Sequence, residues 1–408
     1  MNDISVLREL AKQYVHAAND PVNSRRRERA YAINGLKPVR PIVWIEEVPW
    51  GEFCGHEKLK CLCKDPVLRD IETWFRRKLF QWEYFQADMI LEPFYPLYRS
   101  YESTGNGFEI IERIIKTDER NHIVSHEYVD QLDTEEKVRA LRMPEFTLRA
   151  DRDNEMLDRL NDIFGEILPV KLLGHHMYFS AWDRIAMLRG MTPLLTDLIA
   201  EKELMHLTAE KFYSALSHQT DFMNENRLFD SGAYALHCTP GYSKELEENE
   251  KRFGNTCKCA WLRVMAQPFA SVSPAMHEEF DIRYLIPIAE KFGFVYYGCC
   301  EPLSDRLDII KKIPNLRKIG VSPWSDIEVS AEQIGSDYVY ARKPNPAFVV
   351  GTLDENAIRR ETETTVKACI RHHCPLEFSL KDISSASGKI ENLARWSEIV
   401  KSVLDKYY

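Results

Sequence analysis

Short apolar runs that stop at ionisable residues recur along this chain. Eight stand out: PIVWIEE (41–47), ADMILEPF (87–94), VKLLGHH (170–176), CAWLRVMAQ (259–267), FVYYGCCE (294–301), KIGVSPW (318–324), DYVYARKP (337–344) and LEFSLKDI (376–383). Each is rich in β-branched or aromatic residues and is short for a helix, so each predicts a buried strand. Helical patterns fill the intervals. Ser273 is placed to cap a helix with Pro274 at its first position, and Met276, Phe280, Tyr284 and Ile288 form a stripe at steps of four. SDRLDIIKKI, SAEQIG, residues 354–371 and the closing ENLARWSEIVKSVLDKYY carry similar patterns.

Strands alternating with helices imply crossover connections and a parallel sheet. Eight such units predict an α/β fold, a closed (β/α)₈ TIM barrel. It is expected as one domain over 1–408, with a helical extension at 1–40, strands over 41–383 and a closing helix at 384–408. The early connections, 95–168 and 183–256, exceed one crossover and predict additional helices. No glycine-rich phosphate loop follows the first run, which disfavours an open dinucleotide-binding sheet.

Charge narrows the partners. The net charge of −9 gives no electrostatic case for nucleic acid or an anionic membrane surface. The basic run SRRRER (24–29) is expected as a solvated helix face. MNDISVLREL lacks the apolar core of a signal peptide, and no apolar run approaches the ~18–20 residues that span a bilayer. With ten cysteines in such a chain, a cytoplasmic setting with reduced thiols is expected.

In a barrel the chemistry sits at the C-terminal strand ends. The runs end in Glu46 and Glu47, Glu92, His175 and His176, Gln267, Cys299 with Cys300 and Glu301, Ser322 and Trp324, Arg342 and Lys343, and Lys381 with Asp382. Burying so many ionisable groups without use is costly. Runs one, three and five end in Glu-Glu, His-His and Cys-Cys-Glu. Neighbours on a strand face opposite ways, so one member of each pair is expected at the mouth. A carboxylate, an imidazole and a thiolate there suit a zinc ion with an open position, which makes His175, His176, Cys299 and Cys300 candidate ligands. Inert packing is the competing explanation, because cysteine packs as a small hydrophobe and backbone carbonyls can satisfy histidine. Glu301, Lys381 and Asp382 are candidate catalytic groups; Glu46, Glu47, Gln267, Trp324 and Lys343 are candidate substrate contacts. Cys54, His56, Cys61 and Cys63 form a second cluster without a standard zinc spacing, and His237 with Cys238 is a weaker pair in a loop.

The segments CAWLRVMAQPFASVSPAMHEEFDIRYLIPIAEKFG, YYGCCEPL, NLRKIGVSPWSDI and LKDISSASGKIENLARWSEIV resemble the uroporphyrinogen decarboxylase superfamily. That superfamily also holds the cobalamin-independent methionine synthase barrels and the zinc-dependent methyltransferases that service corrinoid proteins. The resemblance covers residues 165–405 and implies a barrel. Two departures matter. WIEEVPWGEF puts acids where the decarboxylases carry an arginine-rich signature for propionates, and YYGCC lacks the histidine of the H-x-C zinc pattern in the methyltransferases. The expected function is methyl transfer assisted by zinc, to or from a thiol or a corrinoid protein. The alternative is a decarboxylase or lyase acting on a small carboxylated substrate; a non-catalytic binding protein is a third reading. The resemblance further implies a homodimer.

Overall fold

The computed structural model describes residues 2–116, 124–232 and 236–408. Seven strands lie in one parallel sheet: β1 (Ile42–Ile45), β2 (Met177–Phe179), β3 (Trp261–Val264), β4 (Phe294–Tyr297), β5 (Leu316–Val321), β6 (Val339–Arg342) and β7 (Leu376–Leu380). Their order is β1-β7-β6-β5-β4-β3-β2, with β1 placed beside β7. This is the order of a barrel opened between β1 and β2. Among the described residues no ladder joins those two edges, so the expected closed eight-stranded barrel is replaced by a seven-stranded sheet.

Two expectations fail at that opening. Residues 87–94 are not a strand. The Asp88 N–H does donate to the Val43 carbonyl (2.7 Å), but the Asp88 carboxylate takes the Val43 N–H (3.0 Å). A side chain thus occupies the edge where a ladder would continue. Asp88 is buried and is held by Arg26 (3.6 Å), Arg29 (3.2 Å), Arg40 (3.9 Å) and Lys401 (3.7 Å). Arg27 pairs with Glu92 at 2.9 Å. The basic run at 24–29 is therefore no solvated face; its helix (Pro21–Asn34) clamps the 87–94 segment.

The run 170–176 is divided. Val170–Leu173 pairs in parallel with Tyr95–Tyr98 in a separate two-stranded sheet. Gly174 follows because the Phe229 carbonyl lies 2.4 Å from where a Cβ would stand. The sheet strand β2 starts only after the histidines.

Pleating gives the sheet two chemically different faces. Leu262, Val264, Val295, Tyr297, Ile319, Val321, Tyr340, Phe378 and Leu380 belong to a large apolar core shared with Ile358 and Val366 of helix Glu355–Arg371 and Leu393 and Trp396 of helix Ile390–Leu404. The alternate positions carry Arg263, Tyr296, Lys318, Glu377, Ser379 and Lys381, all buried. Lys318 of β5 reaches Glu377 of β7 at 2.8 Å across the intervening β6, so this polar face is concave. The helices Asp3–Ala18 and Pro21–Asn34 pack with Ile42 and Val339 at the N-terminal ends of β1 and β6. Cys299, Cys300 and Lys381 lie at the opposite, C-terminal end.

The expected helix cap holds: the Met276 N–H donates to the Ser273 hydroxyl at 3.2 Å. Additional helices occupy the long connection, among them Ala181–Arg189 and Lys202–Glu225.

Candidate functional site

After β4, Gly298 (φ 94°) turns the chain off the strand axis. Cys299 and Cys300 lie beyond that turn, so strand alternation no longer separates them. Their sulfurs are 3.7 Å apart, and both face Lys381, whose Nζ is 2.7 Å from Cys299 Sγ and 3.8 Å from Cys300 Sγ. Cys300 also donates to the Asp382 carboxylate at 2.8 Å. The Cys300 thiol, against burial and together with His237, Arg263 and Lys381, holds the Cys299 thiol well below its ordinary range. The proton of the pair accordingly rests on Cys300, whose pKa is raised by its bond to Cys299 and by burial. Burial opposes charge on Lys381, but the surrounding sulfurs and Asp382 outweigh it and keep the ammonium form.

Glu47 follows β1 and comes to the same mouth. One oxygen accepts the Asp382 N–H (3.0 Å) and lies 3.8 Å from Lys381; the other lies 3.9 Å from His237 Nε2. Burial would raise its pKa, but the Asp382 hydrogen bonds and Lys381 hold it below the usual carboxylate value. Ligand atoms of Glu47, His237 and Cys238 all lie within 4.8 Å of one another. Among the described residues this is the one set of three or more His, Cys, Asp or Glu side chains placed to share a metal ion. Four residues of the site adopt left-handed backbone: Glu47 (φ 55°), His237 (37°), Cys238 (74°) and Asp382 (55°). Such conformations cost about 1–3 kcal/mol each and persist where the surroundings impose them.

Glu301 is buried; one oxygen accepts the Cys299 N–H (2.9 Å) and the other has no partner among the described residues. Burial and the neighbouring Cys299 charge raise its pKa. Asp183 begins the helix after β2, accepts from the Ser180 hydroxyl, and lies 3.4 Å from the Gln267 N–H. Burial, with Glu301 and Cys299 nearby, raises its pKa to about 7.

The remaining expected residues divide. Lys343 faces the concave side beyond β6. Glu46 is engaged by its own strand, accepting from the Trp44 indole at 2.9 Å. The Gln267 amide reaches Met265 Sδ at 3.3 Å. Trp324 is 71% exposed on the loop after β5.

The histidine placement is corrected. His175 Nε2 lies 2.5 Å from the Arg99 carbonyl, and His176 Nδ1 accepts from the Trp261 N–H at 3.4 Å. Trp261 is the first residue of β3, so His176 sits at the N-terminal end of the sheet, opposite the cysteines. The imidazole at the mouth is His237, packed 4.5 Å from the Tyr178 ring. Cys61 contacts Thr73, the Cys63 N–H donates to Glu72, and His56 accepts from the Lys58 N–H; that cluster does not converge.

Sequence reasoning undervalued His237 and Cys238 because a loop carries no period that fixes its position. Asp183 it missed; the signal present was a serine three residues before an acid at a helix start, the capping-box spacing.

No family model matches the sequence, and no curated protein matches it. Solved structures similar to this chain include a methyltransferase from Methanosarcina mazei, 12% identical, covering 94% of this chain and 99% of that one with a TM-score of 0.47.

Proposed function

We propose that this chain is a methyltransferase that activates a thiol at a zinc ion held by Glu47, His237 and Cys238. The observation that carries this reading is the convergence of those three donors in strained backbone, beside the Lys381–Cys299 contact. A carboxylate oxygen, an imidazole nitrogen and a thiol sulfur match the preferences of zinc, and three protein donors leave a position for substrate. Zinc bound there would hold a substrate thiol as the nucleophilic thiolate near neutral pH.

The chain's own groups orient and balance that site. Lys381 lies among Cys299, Asp382 and Glu47 and offsets their charge. The Asp382 N–H fixes one Glu47 oxygen and leaves the other toward His237. Glu301 holds the Cys299 N–H with one oxygen and keeps a second, unpartnered oxygen at the site. A methylated corrinoid protein as donor follows from the sequence resemblance. A second reading, a carboxy-lyase on a small carboxylated substrate, draws on Asp183, whose pKa near 7 suits a proton donor at neutral pH.

Elemental analysis tests the metal. Purified protein should carry about one zinc per chain, as should His175→Ala, whereas His237→Ala and Cys238→Ser should lose it. A zinc-free wild type, or variants that keep full zinc, would leave the carboxy-lyase reading in place.

A further inference from the structure

The concave face holds buried cationic donors that its acceptors do not fully satisfy. Lys318 is paired with Glu377 at 2.8 Å, and Lys381 with Cys299 at 2.7 Å and Asp382 at 3.2 Å. Arg263 and Lys343 are different. Arg263 is fully buried; its Nη1 donates to the Val264 carbonyl (2.9 Å), but Nε and Nη2 meet no acceptor among the described residues. Lys343 is likewise buried, and its ammonium and the neighbouring Tyr296 hydroxyl interact with each other but reach no other acceptor among the described residues. All three sit together: Arg263 Cζ stacks 3.8 Å from the Tyr296 ring centroid, and Lys343 Nζ lies 5.5 Å from the same centroid.

Burying a cation whose N–H groups lack acceptors is costly. Nearby negative groups, Cys299 for Arg263 and Glu377 for Lys343, favour the charged forms, but neither lies within hydrogen-bond reach of Arg263 Nε and Nη2 or of Lys343 Nζ. Cys299 is engaged by Lys381, and the bonded oxygen of Glu301 faces the Cys299 N–H. The stacking on Tyr296 offsets part of the cost but leaves the N–H groups bare. Nε and Nη2 share one edge of the guanidinium, the fork that accepts a carboxylate through two parallel bonds. An ammonium and a phenol beside that fork complete a cradle for an anionic oxygen group.

We propose that Arg263, Lys343 and Tyr296 bind the carboxylate of a small organic acid, entered from the strand mouth, and so fix the substrate class of the site. The proposal deepens the functional reading above and rests on it for the location of the reacting end. Arg263 grips the carboxylate edge-on, Lys343 offsets its charge, and Tyr296 donates a further hydrogen bond. The part of the substrate remote from the carboxylate then points toward Cys299 and the Glu47–His237–Cys238 group.

Isothermal titration of the full-length protein, as purified and again after chelator treatment, tests this at fixed ionic strength. The probes are acetate, succinate and inorganic phosphate, with acetamide as the uncharged control. Saturable binding of acetate or succinate is expected with and without metal, and none of acetamide. Lys343→Met should weaken it by roughly tenfold or more, the loss of one charge-assisted contact. Arg263→Lys, which keeps the charge but removes the fork, should weaken it too, and Tyr296→Phe by less. Circular dichroism and zinc content of each variant report folding and the metal group separately. Binding of phosphate alone, no saturable binding of either acid, or unchanged affinity in folded Lys343→Met overturns the proposal. Carboxylate binding to a protein without zinc would instead overturn the metal reading and leave this one standing.

Discussion

The Lys381 ammonium lies 2.7 Å from the Cys299 sulfur while also contacting Asp382 at 3.2 Å. These residues come from the ends of β4 and β7, strands that are not neighbours in the sheet. The contact therefore depends on the sheet's curvature and reports whether the mouth is assembled.

Lys381→Met should raise the pKa of Cys299. The ammonium stabilises the thiolate by a charge-assisted bond worth about 1.5–3 kcal/mol, which is about one to two pH units. Thiolate ultraviolet absorbance followed against pH in a Cys300→Ser background reads this directly. An unchanged titration would mean that His237 and Arg263 alone hold the thiolate, and that Lys381 serves the carboxylates.

Much of the sheet was legible because its strands are apolar runs with sharp polar ends; those ending at Glu46, Cys299, Lys343 and Lys381 are placed as their patterns imply. The opening between β1 and β2 was not legible. Residues 87–94 have strand composition, yet one carboxylate, Asp88, and the arginines from a distant helix decide their conformation. His-His at 175–176 failed for a related reason: the apolar run before it pairs with Tyr95–Tyr98, a contact that local pattern does not encode. The mouth itself was half visible, since strand ends can be counted but the loop carrying His237 and Cys238 cannot be placed by periodicity.

Asp88→Ala should destabilise the fold by about 1.5–3 kcal/mol, the worth of hydrogen bonds to a charged group, because Asp88 is buried while its cationic partners keep some solvent contact. Arg26, Arg29, Arg40 and Lys401 would lose their common carboxylate, and the Val43 N–H its acceptor. Chemical denaturation measures the difference. A loss under about 1 kcal/mol would show that the clamp is a solvent-screened surface network.

Asp183 should titrate near neutrality. Its folded pKa, about 7, lies above the unfolded value, so its favourable contribution is present at low pH and is lost as pH rises through 7. Difference infrared spectra between pH 5 and pH 9 should show a carboxylic band converting to carboxylate, absent in Asp183→Asn. A spectrum identical in both proteins would remove Asp183 as a neutral-pH proton donor.

His176 sets an acid limit on stability. Burial lowers its pKa to about 4, and His175 adds to the effect against Asp230. Between pH 6.5 and pH 4 the unfolded chain binds a proton that the folded ring refuses. Stability is therefore whole above 6.5 and declines as pH falls toward 4. The ring keeps some solvent contact, so the decline stays below the roughly 3 kcal/mol that such a gap implies. His176→Asn keeps an acceptor for the Trp261 N–H but cannot titrate, so it should flatten the acid slope. Urea unfolding at a series of pH values compares the two; equal slopes would assign the acid sensitivity to the carboxylates at the mouth instead.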